Sequence, residues 1–227
     1  NLLSYAHSAN ANIALWRGEF ERACYSAETA LASPINPLHP PLDGYDPHVS
    51  SLAHLSWARS RQGRIQEARE ASERSIALAQ TLEHADSLCF ALIHAALLHS
   101  FLHDKSLAVD HAEQALIIAD RYRLALWQSA SRMVLGWAQA IDGDARGIER
   151  IQASAARAQD VMPSVMGAFL YALAEAYGFL DESSAQLKTI DVALETTAKV
   201  GDQLHQADLY RLRAEALLRL GHHEQAG

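Results

Sequence analysis

One helix-pair pattern returns about every forty residues along this chain, and few folds can accommodate such a repeat. In each copy a small or turn-forming residue separates two helical stretches, and mostly small residues follow five, nine and twelve positions later. A fixed period with this content predicts a solenoid, in which each helix pair leaves an apolar face that the next pair covers. The turn positions, which step by 45, 40, 40, 38 and 40 residues, are Gly18, Gly63, His103, Gly143, Asp181 and Gly221.

The residues that follow each turn predict where the two helices of a pair approach each other. Alanine and serine allow close packing of one helix on the other because they add little bulk. In the fourth and fifth copies larger residues occupy some of these positions. The positions are Ala23, Ala27 and Ala30; Ala68, Ser72 and Ser75; Ala108, Ala112 and Ala115; Ile148, Gln152 and Ala155; and Gln186, Ile190 and Ala193.

The composition favours helices throughout the chain. Its 227 residues include 7 Val, 11 Ile and 5 Thr, few of the residue types that strands favour, and no convincing stretch alternates with a period of two. We therefore predict an all-α, right-handed superhelical solenoid of antiparallel helix pairs that forms one domain over residues 1–227. The predicted pairs are 2–32, 48–82, 86–122, 125–160, 163–200 and a truncated pair at 203–227.

One irregular segment interrupts the array between the first two pairs. Five of the six prolines lie in residues 33–47, and proline both removes a backbone donor and clashes with the preceding helical turn. This predicts a proline-rich loop that accounts for the long step of 45 residues. Asp46 and Pro47 at its end suit the cap and the first position of a helix, and Asp104 and Asp202 are predicted caps further along.

Charge and hydropathy disfavour several classes of protein. The formal net charge is −8 and the basic residues are scattered, so direct nucleic-acid binding is disfavoured. No apolar run approaches the ~20 residues that span a bilayer, and no signal peptide is visible. Cys24 and Cys89 lie far apart in helical stretches, as expected of buried reduced thiols in a cytoplasmic protein. A first residue other than Met suggests a piece of a longer chain.

Several short motifs resemble a known family. They are GYDP at 44–47, LSWA at 55–58, GWA at 136–138, LAEAYG at 173–178 and DLYRL at 208–212. The repeat is similar to tetratricopeptide repeats (TPR), although its period exceeds their usual 34 residues. The motifs resemble the C-terminal helical repeats of bacterial multidomain signalling ATPases, in which a nucleotide cyclase or winged-helix DNA-binding domain precedes the ATPase and the repeats. The resemblance covers residues 7–227 and implies a TPR-like module that serves other domains.

Catalytic and cofactor motifs are absent from the sequence. There is no GxxxxGK[ST] phosphate loop and no Gly-x-Ser-x-Gly elbow, and paired carboxylates fall at helix ends, where capping explains them. His94, His99 and His103 share one predicted helical stretch, but no carboxylate partner accompanies them. Structural or solvent-facing histidines are therefore favoured over a zinc site. We expect no enzyme activity and no cofactor.

The first helix of each pair is expected to line the concave surface of such a solenoid. Projection of these helices places aromatic, apolar and charged side chains on that surface, which is the combination that a ligand groove needs. Trp57 and Arg61, one helical turn apart, are the preferred anchor. The alternative is that the aromatic side chains fill the core, which is favoured slightly for any single one, and the sequence leaves both interpretations open. The candidate groove residues are Trp57, Arg61, Ile93, Leu97, Met133, Trp137, Tyr171, Glu175 and Arg211.

Three functions remain open. The leading hypothesis is a non-enzymatic interaction module of a bacterial signalling or transcriptional regulatory protein, which contacts a protein or peptide partner or other domains of its own chain. The alternative is a ligand-sensing domain that binds a small molecule or peptide in the groove and regulates an attached domain. An enzyme or metalloprotein is the least favoured. The apolar last helix, whose predicted partner is cut short, also predicts self-association through the C-terminal edge.

Overall fold

The computed structural model describes residues 2–34 and 44–226, with the side chains of the last helix described as far as Gly221. Within these residues the chain forms eleven α-helices and one short 3-10 helix, Pro163–Val165, and contains no strand. The all-α prediction is confirmed. The helices are α1 (Leu3–Trp16), α2 (Phe20–Ala32), α3 (Pro47–Arg61), α4 (Ile65–Thr81), α5 (Ala85–Phe101), α6 (Lys105–Tyr122), α7 (Ala125–Ile141), α8 (Arg146–Val161), α9 (Met166–Phe179), α10 (Ser183–Val200) and α11 (Gln206–Ala226).

The packing of the chain divides it into two compact units, Asn1–Trp127 and Gln128–Gly227, and the boundary lies within α7. In a repeat array each pair contacts mainly its neighbours, so a division of this kind can follow from local packing alone. The single domain over residues 1–227 therefore remains a prediction.

Within each unit, a first helix packs on the second helix of its own pair and on the first helix of the next pair. In the first unit α3 contacts α4 and α5, and in the second unit α9 contacts α10 and α11. Ser8 Oγ and Ser50 Oγ lie 2.7 Å apart and join α1 to α3. Ser75 Oγ donates to Val49 O at 2.9 Å and joins α4 to α3. Small hydroxyl side chains thus satisfy polar groups inside the helix packing.

Left-handed backbone follows the first helix of every complete pair. All five positions predicted as turns in these pairs have φ between 55° and 80°. Glycine adopts this region without steric cost, which explains why three of the five are glycine. The residues with their φ angles are Gly18 (72°), Gly63 (77°), His103 (55°), Gly143 (80°) and Asp181 (57°).

The sixth predicted turn is wrong. Gly221 lies inside α11, which continues to Ala226. A glycine within a helix costs only about 1 kcal/mol relative to alanine, so it does not by itself end the helix. The predicted cap at Asp202 is also wrong, because α11 begins four residues later. Asp202 Oδ1 instead accepts a hydrogen bond from Leu204 N at 2.9 Å in the preceding turn.

The small positions of the second helices are buried in four of the five complete pairs, as predicted. In the fourth pair the prediction is one residue out of register, because Gly147, Ile151 and Ser154 are buried while Gln152 is exposed. The reason is a close approach of α8 to α7. A Cβ atom on Gly136 would lie 2.8 Å from Gly147 O, so these two glycines let the helix backbones meet. Because α8 is rotated about its own axis by one residue relative to the prediction, Gln152 lies on the surface.

The predicted start of the second pair is confirmed. Asp46 caps α3 by accepting hydrogen bonds from His48 N at 2.8 Å and Val49 N at 3.1 Å, and Pro47 is the first helical residue. Asp104 caps α6, where its Oδ1 accepts from Leu107 N. The proline-rich loop at 33–47 stays a prediction, since residues 35–43 lie outside the described part of the chain.

Candidate binding face of the first helices

Trp57, Arg61 and Phe101 form a cation–aromatic cluster between α3 and α5 in the first unit. The guanidinium carbon of Arg61 lies 3.9 Å from the ring centroid of Phe101 and 5.6 Å from that of Trp57. The Trp57 side chain is 4% exposed, and its Nε1 donates to His94 O at 3.2 Å. Arg61 is half-buried. The indole therefore packs in the core, while the guanidinium is held partly at the surface by contacts of about 0.5–2 kcal/mol.

A row of aromatic and histidine side chains continues along α3 and α5. The rings of Phe90 and His94 stack with centroids 4.0 Å apart, and His54 meets both edge-on. Burial lowers the pKa of His54 to about 3 and that of His94 to about 4. The charge of His94 lowers the pKa of His54 further. Both imidazoles are consequently neutral at pH 7 and act as packing groups in the first unit.

Glu175 is a buried carboxylate among the first helices of the second unit. It is 3% exposed and accepts a hydrogen bond from Trp137 Nε1 at 3.0 Å. The Tyr171 hydroxyl also donates to it. The Tyr171 ring stacks on His205, with centroids 4.7 Å apart and an angle of 12° between the planes. These four residues, Trp137, Tyr171, Glu175 and His205, are named the Glu175 cluster.

Burial raises the pKa of Glu175 to about 7, although the hydrogen bonds from Tyr171 and Trp137 oppose the shift. Burial also raises the pKa of Tyr171 above its usual range, and the charges of Glu175 and Asp208 add to that effect. The phenol therefore stays protonated as a donor. The Glu175 carboxyl, in contrast, exchanges its proton near neutral pH, which is unusual for a glutamate and typical of functional sites.

Arg211 on α11 supplies the exposed cation beside the Glu175 cluster. Its positive charge lowers the pKa of Glu175 and thus acts on the buried carboxylate. The guanidinium also forms an exposed ion pair with Glu215, in which Nη1 and Oε1 are 2.7 Å apart. An aromatic, hydrogen-bonded interior with a cation at its rim can recognise a carboxylate or other acidic group on a partner.

The structure places the predicted groove residues in two groups. Trp57 and Arg61 are together in the first unit, and Trp137, Tyr171, Glu175 and Arg211 are near one another in the second. Arg61 and Leu97 are half-buried and Arg211 is exposed. Ligand contact by this set stays a prediction. The side chains buried within the helix packing are Trp57, Ile93, Met133, Trp137, Tyr171 and Glu175.

Two histidines of these clusters were not singled out from the sequence. His54 lies three residues before Trp57 and so shares its side of α3, and this spacing is a signal that could have identified it. His205 precedes α11 in a turn and carries no periodic signal. Its place against Tyr171 follows only from the way α11 packs on α9.

The three histidines considered for zinc do not converge. His94 stacks on Phe90, His99 Nδ1 lies 3.6 Å from Asp104 Oδ2, and His103 occupies a left-handed turn. Among the described residues there is no group of three His, Cys, Asp or Glu side chains that could hold a metal ion. Over the same residues, no helix combines the length and apolar character needed to cross a membrane.

Comparison with known proteins identifies the fold. No family profile and no curated protein sequence matches the chain. Among solved structures, the TPR-like repeats of a kinesin light chain-like protein from Podosopora anserina match with a TM-score of 0.54 and 18% identity, over 88% of this chain and 98% of that chain. A second structure of these repeats gives 0.52 and 19%, over 86% and 95%. The chain therefore has a TPR-like helical-repeat fold.

Proposed function

We propose that this chain is a non-enzymatic interaction module that binds a segment of a protein partner on its first helices. The observation that carries the proposal is the Glu175 cluster with Arg211 at its rim. A buried carboxylate is costly in a helical core, and the repeat fold does not need one for stability. Its placement beside an exposed cation is better explained by recognition than by packing. The Arg61 guanidinium offers the same chemistry in the first unit.

The test selects peptides from a random display library on the immobilised chain and then measures their dissociation constants by fluorescence polarisation. Arg61→Ala is expected to weaken the binding of peptides selected on the first unit, and Arg211→Ala that of peptides selected on the second. Each loss of affinity should be at least tenfold, or about 1.4 kcal/mol, because each substitution removes a charge-assisted contact. Trp57→Ala is unsuitable here, since truncation of a buried Trp costs about 3–5 kcal/mol of folding stability.

Matched controls come from exposed arginines on second helices, Arg74→Ala in α4 and Arg157→Ala in α8. Neither is expected to change peptide affinity more than about twofold, or roughly 0.4 kcal/mol. The proposal fails if no peptide binds saturably. It also fails if the control variants weaken binding as much as Arg61→Ala and Arg211→Ala.

A second candidate function is ligand sensing, in which a small molecule or peptide binds beside the Glu175 cluster and regulates an attached domain. The raised pKa of Glu175 favours it, because a ligand that changes the proton occupancy of this carboxyl alters the local packing. A thermal-shift screen distinguishes it, since a ligand at 100 times its dissociation constant adds about 2.7 kcal/mol. Glu175→Gln is expected to abolish the shift, and an unchanged shift would contradict a role for this residue.

The setting we propose is a cytoplasmic bacterial signalling or transcriptional regulatory protein, in which the module serves an ATPase, cyclase or DNA-binding domain. The short motifs at 44–47, 55–58, 136–138, 173–178 and 208–212 support this proposal. Regulation of an attached domain requires that the partner bind two states of the whole protein with different affinity. Sequencing the gene around this segment tests the setting directly, and flanking domains of another kind would contradict it.

A further inference from the structure

We propose that the binding of an acidic partner side chain at Arg211 is coupled to the uptake of a proton from solvent by Glu175. As a consequence, the second unit binds such a partner more tightly as the pH falls. This coupling rests on the proposed binding function and adds regulation by pH to the same site. It needs a buried carboxyl that can change its charge, and an exposed charged group that acts on that carboxyl.

The Glu175 carboxyl is held inside the helix packing by uncharged donors. Trp137 Nε1 of α7 donates to its Oε2 at 3.0 Å, and Tyr171 of α9 donates from its hydroxyl. Neither donor carries a charge that offsets an ionised carboxylate, and burial of an ionised group without such a charge is costly. A protonated carboxyl still accepts hydrogen bonds through its remaining lone pairs, so both forms of Glu175 fit the same cluster.

Two charged side chains of α11 act on this carboxyl from the rim of the cluster. Burial raises the pKa of Glu175 to about 7, the charge of Arg211 lowers it, and the charge of Asp208 raises it. Arg211 therefore favours the ionised form and Asp208 the protonated form. Because the pKa lies near neutrality, a change of charge at the rim changes the proton occupancy of Glu175 at pH 7.

The remaining neighbours of Glu175 include one further source of a pH effect. Tyr171 and His205 stack with ring centroids 4.7 Å apart. Burial raises the pKa of Tyr171 beyond its usual range, so this hydroxyl stays protonated. Helix α10 contributes the apolar Ile190 and Ala193 to the core beside Tyr171. His205 is the alternative titrating group, because histidine is the side chain that ordinarily changes charge near neutral pH.

Arg211 is accessible to a partner, whereas Glu175 is buried. The Arg211 side chain is 47% exposed and pairs with the equally exposed side chain of Glu215, with 2.7 Å between Nη1 and Oε1. Exposed ion pairs of this kind are weak, so a partner carboxylate can displace Glu215. A guanidinium also has five donors, so it can hold Glu215 and a second carboxylate together.

A carboxylate bound at Arg211 offsets the positive charge that keeps Glu175 ionised. The pKa of Glu175 therefore rises when the partner binds, and a proton from solvent enters the carboxyl near pH 7. By linkage, the partner binds most tightly below the pKa of about 7 of the free protein, and its affinity falls as the pH rises through that value. Each pKa unit of this rise corresponds to a tenfold difference in affinity between the two limits.

Peptide binding measured as a function of pH tests the coupling. The probe is a fluorescently labelled peptide that contains Asp or Glu, is selected by display, and loses affinity in Arg211→Ala. Its dissociation constant is expected to increase about fivefold or more from pH 6 to pH 8.5. The same peptide with its acidic residue replaced by the amide should show no such increase. Asp and Glu of a free peptide stay ionised over this range, so they do not cause the effect themselves.

Two variants identify the group that takes up the proton. Glu175→Gln cannot be protonated, so its dissociation constant for this peptide should change less than about twofold between pH 6 and pH 8.5. His205→Gln should keep the dependence of the wild type, because the coupled carboxyl is still present. A pH dependence that survives in Glu175→Gln, or one that disappears in His205→Gln, overturns the proposal.

A peptide that depends on Arg61 in the first unit is the matched control. Burial lowers the pKa of His54 to about 3 and that of His94 to about 4, so both stay neutral over the range of the experiment. The dissociation constant of this peptide should therefore change less than about twofold. An equal pH dependence in both units would show that Glu175 is not its cause, and would overturn the proposal.

The coupling of Arg211 to Glu175 can also be measured without a partner. Carbon-detected NMR of 13C-labelled glutamate follows the titration of the Glu175 carboxyl, which is assigned by loss of its signal in Glu175→Gln. Arg211→Ala should raise the midpoint pH of this titration and Asp208→Asn should lower it. The exposed Arg74→Ala of the first unit should leave the midpoint unchanged. An unchanged midpoint in Arg211→Ala overturns the coupling.

The outcomes distinguish this coupling from the function on which it rests. If a peptide binds through Arg211 with the same affinity from pH 6 to pH 8.5, the coupling is wrong and the binding function stands. If no peptide binds saturably, the binding function is wrong and the coupling to a partner fails with it, whatever the NMR titration gives.

Discussion

At the scale of single residues, left-handed backbone is concentrated in the turns and is not confined to glycine. Glu83, His103, Arg123 and Asp181 all have φ between 51° and 57°. An L-residue in this region costs roughly 1–2 kcal/mol because its Cβ crowds the carbonyl oxygen. The packing of the flanking helices holds these residues in place, and the turns therefore store strain that glycine would relieve.

Glu83→Gly is expected to stabilise the protein. Removal of the Cβ strain outweighs the added freedom of the unfolded chain, for a net gain of roughly 0.5–1 kcal/mol in the free energy of unfolding. Urea unfolding measures it. The matched control is Glu73→Gly, an exposed position within α4, which should lose about 1 kcal/mol of helix stability. Equal losses in both variants would show that the turn at Glu83 is not strained.

The Glu175 carboxyl predicts a specific dependence of stability on pH. Its pKa is raised to about 7 in the folded protein from 4.5, so its stabilising contribution is present below pH 4.5 and is lost as pH rises to about 7. The loss amounts to about 3 kcal/mol at 1.36 kcal/mol per pKa unit. Glu175→Gln should therefore become more stable relative to wild type as pH rises from 5 to 8. Urea unfolding at several pH values measures this difference, and a constant difference would contradict the assignment.

At the scale of helices, a single contact sets the rotation of α8. The turn after α7 has the same left-handed residue as the others, but α8 opens with a tighter bond from Gly147 N to Asp144 O, where the equivalent bond in the other second helices reaches four residues back. The helix buries residues one position earlier than the other second helices do. Gly136 and Gly147 explain the shift, since their missing side chains allow the closest approach of the α7 and α8 backbones. Glycine is thus placed for packing in these helices, whereas Gly143 in the turn between them serves a positive φ of 80°.

Gly147→Ala is expected to destabilise the second unit by about 1–3 kcal/mol, because the new Cβ clashes with the backbone of α7. Thermal and urea unfolding measure the loss. Gly221→Ala is the control within a helix, since a Cβ there meets nothing within 4 Å, and it should add up to about 1 kcal/mol of stability. If Gly147→Ala were neutral, the close approach would not control the rotation of α8.

At the scale of the whole molecule, four histidines of the first unit weaken stability in acid. Burial is the first cause of the lowered pKa of His54, His94, His99 and His111. Their folded pKa values lie below the unfolded value of 6.5, so the unfolded chain binds more protons as pH falls. Folding therefore weakens below pH 6.5, in the opposite sense to the contribution of Glu175.

His54→Gln is expected to reduce this acid sensitivity. Between about pH 6 and 4, each of His54 and His94 should lower the free energy of unfolding by about 1.4 kcal/mol per pH unit. Removal of one titrating group should lower the slope by that amount, even if the variant is less stable at pH 7. Urea unfolding from pH 7 to pH 4 gives both slopes. Parallel pH profiles for the variant and the wild type would show that His54 does not titrate with unfolding.

The sequence by itself determined the helical character of the chain and the place of five of its six predicted repeat turns, because these depend on local residues. Gly18, Gly63 and Gly143 adopt the left-handed backbone that glycine favours. Asp46 caps α3 through hydrogen bonds from its near neighbours His48 and Val49. Tertiary structure decided the rotation of α8 and the burial of Trp57 and Trp137. It also brought His205 against Tyr171. Each of these follows from contacts between residues far apart in the chain, and a repeat period carries no information about them.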